Sequence, residues 1–153
     1  MADTVKTGVL KALEEALGAV SALGQIIRNP SKPVDQETAR FPLAFVFDEE
    51  ESKRQVNRYA LVTMPVQIEV WMRTGEADIS DAADEIAAAI EQTLLSSATV
   101  ALRCQDIRPD PERSVVKFYA DEFLGGCVLR YIVQYRHVWG DPYDAGARKG
   151  GTS

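Results

Sequence analysis

One histidine and two cysteines are the only side chains of their kind in 153 residues, and no glycine-rich phosphate loop, nucleophile elbow or zinc-ligand spacing accompanies them. The familiar nucleotide-binding, serine-hydrolase and zinc architectures are therefore excluded. No apolar run approaches the ~20 residues of a spanning helix, and no basic, apolar and small-residue leader opens the chain, so neither a membrane partner nor an export address is expected. No internal repeat is present. Basic charge is also short: 17 Lys and Arg stand against 23 Asp and Glu, a net charge of -6. Proteins that grip nucleic acid by its phosphates need a basic stripe, so specific DNA binding is not expected.

What the chain does contain is an ordinary globular balance, 46% hydrophobic and 26% charged. One domain is expected over residues 1–139, followed by a flexible tail over 140–153, where four of the ten glycines fall and no aliphatic residue exceeds alanine. The charge imbalance is local. Residues 75–102 hold Glu76, Asp78, Asp81, Asp84, Glu85 and Glu91 without a single base, while the remaining acids and bases cancel.

Hydrophobic periodicity predicts a first helix from about Asp3 or Thr4 to near Gly24, with Val5, Val9, Leu13, Leu17 and Val20 on one face. A short extended piece at Ile26 and Ile27 leads to a break at Asn29-Pro30 and Lys32-Pro33, and Leu43 to Asp48 reads as a buried strand. Between Leu61 and Arg73, Val62, Met64, Val66, Ile68, Val70 and Met72 alternate with polar residues, which predicts a long strand with one face buried. Pro65 places that strand at a sheet edge or marks a bulge. A second helix is expected over Ile79 to Leu95, capped by Asp78 or Ser80, its apolar stripe opposite Asp81, Asp84, Glu85 and Glu91. Strands are expected at Val100 to Ile107, Val115 to Tyr119 and Cys127 to Trp139, with a turn or bulge at Gly125-Gly126. The order gives an α+β fold: a mainly antiparallel sheet, two helices on one face, and a protruding hairpin or loop over Phe41 to Tyr59.

Candidate chemistry is sparse. His137 is the cheapest general base, but on a continuous strand it lies about 33 Å from Cys127 at ~3.3 Å per residue, which excludes that dyad. Asp48, Glu49, Glu50 and Glu51 offer hard oxygen ligands without the alternation and turn glycine of a calcium loop, so a solvated charge run is preferred. Cys104 and Cys127 show no metal spacing and fit a reducing compartment. No catalytic residue, metal ligand or cofactor is assigned. Trp71, on the polar face of the long strand, and Trp139, at the end of the last, are instead candidates for contact with a partner, or for packing within their own subunit.

The stretch Phe41-Pro42-Leu43-Ala44-Phe45-Val46-Phe47-Asp48, the long strand, the alanine-rich acidic helix and the closing Tyr135-Arg136-His137-Val138-Trp139-Gly140-Asp141-Pro142-Tyr143 together resemble the phage tail terminator proteins. The resemblance spans about residues 1–143 and is carried by element order and by the Gly-Asp-Pro-Tyr ending. It implies a non-enzymatic virion protein, made in the host cytoplasm, that closes as a hexameric ring on the end of the tail tube, stops its growth and joins the head or neck. The implied partners are further copies of the chain, the tail tube protein and a head-completion or neck protein, with DNA passing by unbound. Phe45, Phe47, Trp71, Trp139, Asp141, Pro142 and Tyr143 are then interface candidates, and Asp48 to Glu51 with Asp81, Asp84, Glu85 and Glu91 are candidates for an acidic surface or channel wall. Another neck or head-completion protein, a bacterial interaction module, or a small metal- or cysteine-dependent enzyme are the alternatives.

Overall fold

The computed structural model describes residues 2–30, 34–35, 37–73, 79–121 and 124–146. In chain order the elements are α1 (Val5–Gly18), β1 (Gln25–Arg28), β2 (Leu43–Asp48), β3 (Ser52–Val56), β4 (Tyr59–Arg73), α2 (Ile79–Ser96), α3 (Ala98–Arg103), β5 (Asp106–Pro109), β6 (Val115–Asp121) and β7 (Leu124–Val138). The expected α+β class is what forms. Only the β1–β2 pair of the seven-stranded sheet is parallel.

Two 15-residue strands, β4 and β7, lie antiparallel and in register from Tyr59 opposite Val138 to Arg73 opposite Leu124. Each is flanked by two shorter strands, β2 and β3 along β4, β6 and β5 along β7. The alternation read in the sequence is realised: Val62, Met64, Val66, Ile68 and Val70 are buried with Cys127, Leu129, Tyr131, Val133 and Tyr135 on the face that the helices cover. Burying a large apolar side chain stabilises by about 1.5–3 kcal/mol. A surface ion pair contributes at most about 1 kcal/mol. The helix-side face therefore decides the fold.

Thr4 caps α1, its hydroxyl accepting from Thr7 N. The helix ends at Gly18, earlier than the expected Gly24, although Val20 remains buried in the core by a turn that carries it there. α2 matches its expected span and buries Ile79, Ala83, Ile86, Ile90 and Leu94; the proposed cap Asp78 lies outside the described residues. Val100 does not begin a strand. Ser97 instead accepts from Val100 N and starts α3, leaving β5 to begin at Asp106.

Pro65 is not at a sheet edge. Its carbonyl accepts from Glu49 N at 2.9 Å, so the side of Pro65 that lacks an N–H faces the gap where β2 ends and β3 has not begun. The missing donor falls where no strand would receive it.

Gly125 and Gly126 are interior to β7, not a turn before it. A Cβ on Gly125 would meet Ile79 Cδ1 at 2.7 Å, and one on Gly126 would run into the carbonyl oxygen of Val70 and approach Phe118 Cζ at 3.3 Å. The first gap lets the start of α2 settle on the sheet. The second lets Trp71 and Phe118, both in register with Gly126, meet edge to face at 4.9 Å on the opposite side.

Gly126→Ala should lower unfolding free energy by about 3 kcal/mol, the upper end of overpacking costs. Gly18→Ala, at a helix end with open space around it, should leave stability equal or slightly higher. Urea unfolding of both variants checks this. A Gly126→Ala midpoint equal to wild type would show that the ladder can open to admit a methyl group beside Val70 O.

Candidate functional site

The acidic loop after β2 is largely spent inside the molecule. Asp48 points to the helix side, where Lys6 Nζ lies 2.9 Å away and Asn29 Nδ2 donates at 2.7 Å. Glu51 accepts from the Tyr135 hydroxyl at 2.9 Å and lies 3.8 Å from the same lysine. Burial pushes the Asp48 carboxyl up, but the hydrogen bonds from Lys6 and Asn29 and the lysine charge outweigh it and hold the group below the usual carboxylate range. Burial works against the Lys6 ammonium, and Asp48 and Glu51 overcome it to hold that group above its ordinary value. Burial, followed by the Glu51 contact, keeps the Tyr135 phenol protonated.

Glu49 turns to the other face of the sheet. Its Oε1 is 3.4 Å from Arg130 Nη1, and Arg130 Nε is 3.5 Å from Asp110 Oδ2. Glu49 Oε1 and Arg130 Nε are shielded from solvent and make no hydrogen bond, so the attraction in this triad is coulombic. Arg130 also bridges by its backbone, donating to Ser114 O and accepting from Asp110 N. It thereby joins the β2–β3 break to the β5–β6 break. Of the four acids expected to form a solvated run, Glu50 alone is fully exposed; the correction follows from cations that sequence spacing does not reveal.

The acids of α2 behave as expected. Asp81, Asp84, Glu85 and Glu91 are all exposed, and Asp84 is held by Lys117 of β6 at 2.9 Å.

The interface candidates divide into two groups. Phe45 and Phe47 are half-buried neighbours on the sheet face away from the helices, ring centroids 6.2 Å apart. Trp71 shares that face, packed on Phe118 with its Nε1 donating to Glu69 Oε1 at 2.7 Å, so its own subunit satisfies it. Trp139 and Tyr143 are different: they are 49% and 54% exposed.

Both belong to a segment that is ordered where a tail was expected. Gly140 takes a positive φ of 82°, Asp141 N donates to Val138 O, and the Asp141 carboxylate accepts from Tyr143 N. Pro142 O then accepts from Val5 N at 2.9 Å, satisfying a donor in the first turn of α1. The Gly-Asp-Pro-Tyr stretch is a turn that ties residue 142 to the start of α1. It occupies the first part of the stretch expected as a tail; residues 147–153 lie outside the described ones. Tyr143 with Leu102 and Arg103 of α3 and the start of α1 lines an open cleft of about 610 Å³.

His137 is buried. Its Nδ1 lies 2.7 Å from Val138 O, as a donor to that carbonyl would, which leaves Nε2 to accept from Lys53 Nζ at 3.2 Å. β7 is continuous from Cys127 to His137, so the two are held apart as the strand spacing requires. Both thiols are free; burial, then the Asp84 charge, pushes Cys127 up to about 11, and burial followed by Asp106 raises Cys104. Among the described residues no three His, Cys, Asp or Glu side chains converge to hold a metal, and no helix is long and apolar enough to cross a membrane.

Sequence reasoning missed the exposed apolar residues of β6: Val115 at 44%, Val116 at 47% and Tyr119 at 67%. Their alternation signalled a strand; that the strand lies at an edge depends on pairing, which spacing alone does not show. Compared with protein-family models and with curated proteins, the chain matches none.

Asp48→Asn tests the loop's internal role. A depressed carboxylate stabilises the fold above its ordinary value near pH 4 and loses that contribution as pH falls through the lower folded value. Lys6, whose value is raised, contributes below about pH 10.5 and is lost only above its folded value. The variant should therefore be less stable by about 1 kcal/mol at pH 7, a figure discounted for partial exposure, and equal to wild type near pH 2. Urea titrations across that range decide. A deficit that stays constant down to pH 2 would remove Asp48's charge from the account.

Proposed function

We propose that this chain is the subunit of a ring of identical copies that caps a phage tail tube, ends its growth and offers a surface to the head or neck. The observation that carries the reading is the Gly140–Tyr143 turn. The residues on which the likeness to tail terminators rests are built into the fold, and they hold Trp139 and Tyr143 outside the core. Large aromatics kept half exposed on a rigid turn are suited to contact with another protein.

Two further features support it. Among the described residues the sheet ends on each side in strands with no further strand partner, which is hazardous for a solitary molecule and useful to an assembling one. The outward carboxylates of α2 would repel a passing polyanion instead of retaining it.

Native mass spectrometry and negative-stain microscopy at micromolar concentration, with and without tail tube protein, test the reading. A ring in solution, or a ring formed on tube ends, is expected. A strict monomer that leaves tube ends bare would sink it.

A further inference from the structure

Building on the ring reading, we infer that the sheet itself runs from copy to copy, the β6 edge of one subunit pairing with the β3 edge of the next. The two strands lie on opposite sides of the sheet, β3 against β4 and β6 against β7, and among the described residues neither has a second strand partner. Because Ser114 O faces β7, alternation turns the N–H and C=O of Val115, Lys117 and Tyr119 outward. All five residues of β3 are exposed. Each strand thus presents a short row of main-chain donors and acceptors of similar length, the geometry by which one chain adds a strand to another.

Charge selects this pairing over its rivals. Residues 52–59 carry Lys53, Arg54 and Arg58 with no acid, whereas β6 runs beside α2, which carries Asp81, Asp84, Glu85 and Glu91 with no base. Joining β6 to β3 brings a basic hairpin to an acidic helix. Joining β6 to β6 would set two acidic helices side by side. A contact between two different edges is head to tail, so each subunit gives one edge and receives the other, and repetition closes a ring when the rotation permits.

The test blocks each edge separately. In Val115→Pro the lost N–H points outward, so the subunit's own ladder stays whole while the edge can no longer donate there. Lys53→Glu with Arg54→Glu reverses the hairpin. Far-UV circular dichroism and melting confirm folding, and native mass spectrometry reads assembly, free or on tube ends as wild type requires. Each variant alone should fall to the mass of one chain, 16.8 kDa, and fail to coat tubes, whereas an equal mixture should give a species of twice that mass. Should Val115→Pro not fold, Asp81→Lys with Glu85→Lys reads the same side. That pair should disassemble the ring alone and restore it when combined with Lys53→Glu and Arg54→Glu in one chain. Variants that assemble as wild type does would overturn the β6–β3 pairing while leaving the ring intact. A wild-type chain that never assembles, alone or with tube protein, would overturn the ring reading and this inference together.

Discussion

The β4–β7 ladder is the constraint from which the rest of the molecule follows. Fifteen consecutive cross-strand pairs, with one face apolar except for the buried His137, leave no alternative register, because a slip of one residue would send every core side chain to the outside. Once that ribbon exists, the helices have a single surface to cover, and the four short strands along β4 and β7 have their places set by what remains of each flank. The exposed edges are a direct consequence. Short strands that cover half a flank each cannot close the sheet.

The ladder also explains the odd residues inside it. Pro65 sits where β2 gives way to β3, and Arg130 sits where β5 gives way to β6. One lacks a donor at a place with no acceptor strand. The other uses both its backbone groups and its guanidinium to hold two loop ends together, with Glu49 and Asp110 as its counter-charges. Gly125 and Gly126 complete the set: each withholds a side chain so that a neighbour, Ile79 on one face and the Trp71–Phe118 pair on the other, can approach the sheet. These four positions show how a long, regular strand accommodates irregular surroundings without a change of register.

Features with a period were legible from sequence, and features created by tertiary approach were not. The buried faces of β4, α2 and β7 follow from alternation and helical spacing, although β4 begins at Tyr59 and β7 at Leu124, both earlier than expected. α3 was missed because Thr99 and Val100 read as strand formers, and the Ser97 cap that overrides them is a single polar residue. The role of Asp48, Glu49 and Glu51 was hidden for a related reason: Lys6, Arg130 and Tyr135 are remote in sequence and adjacent only after folding. The Gly-Asp-Pro-Tyr ending was noticed as a motif. That its proline carbonyl caps the first helix depends on residues 5 and 142 meeting in space, which composition cannot express.

Why a molecule should keep charged residues of one sign beside one open edge and the other sign beside the opposite edge is a question of assembly, not of stability. Ion pairs within the subunit already serve Asp48, Asp84 and Glu49, and each contributes little beside the apolar face. Lys53 reaches the buried His137, but Arg54 of β3 and Asp81, Glu85 and Glu91 of α2 lie exposed outside that core. In the proposed ring, like edges would repel under this arrangement and unlike edges attract, so copies would meet in one orientation and in one order. An edge strand that would otherwise invite indiscriminate pairing is thereby restricted to a single kind of neighbour. In the proposed ring the same polarity would leave α2's carboxylates near the seam between subunits, where they would both steer the contact and present a negative surface to anything threaded past it.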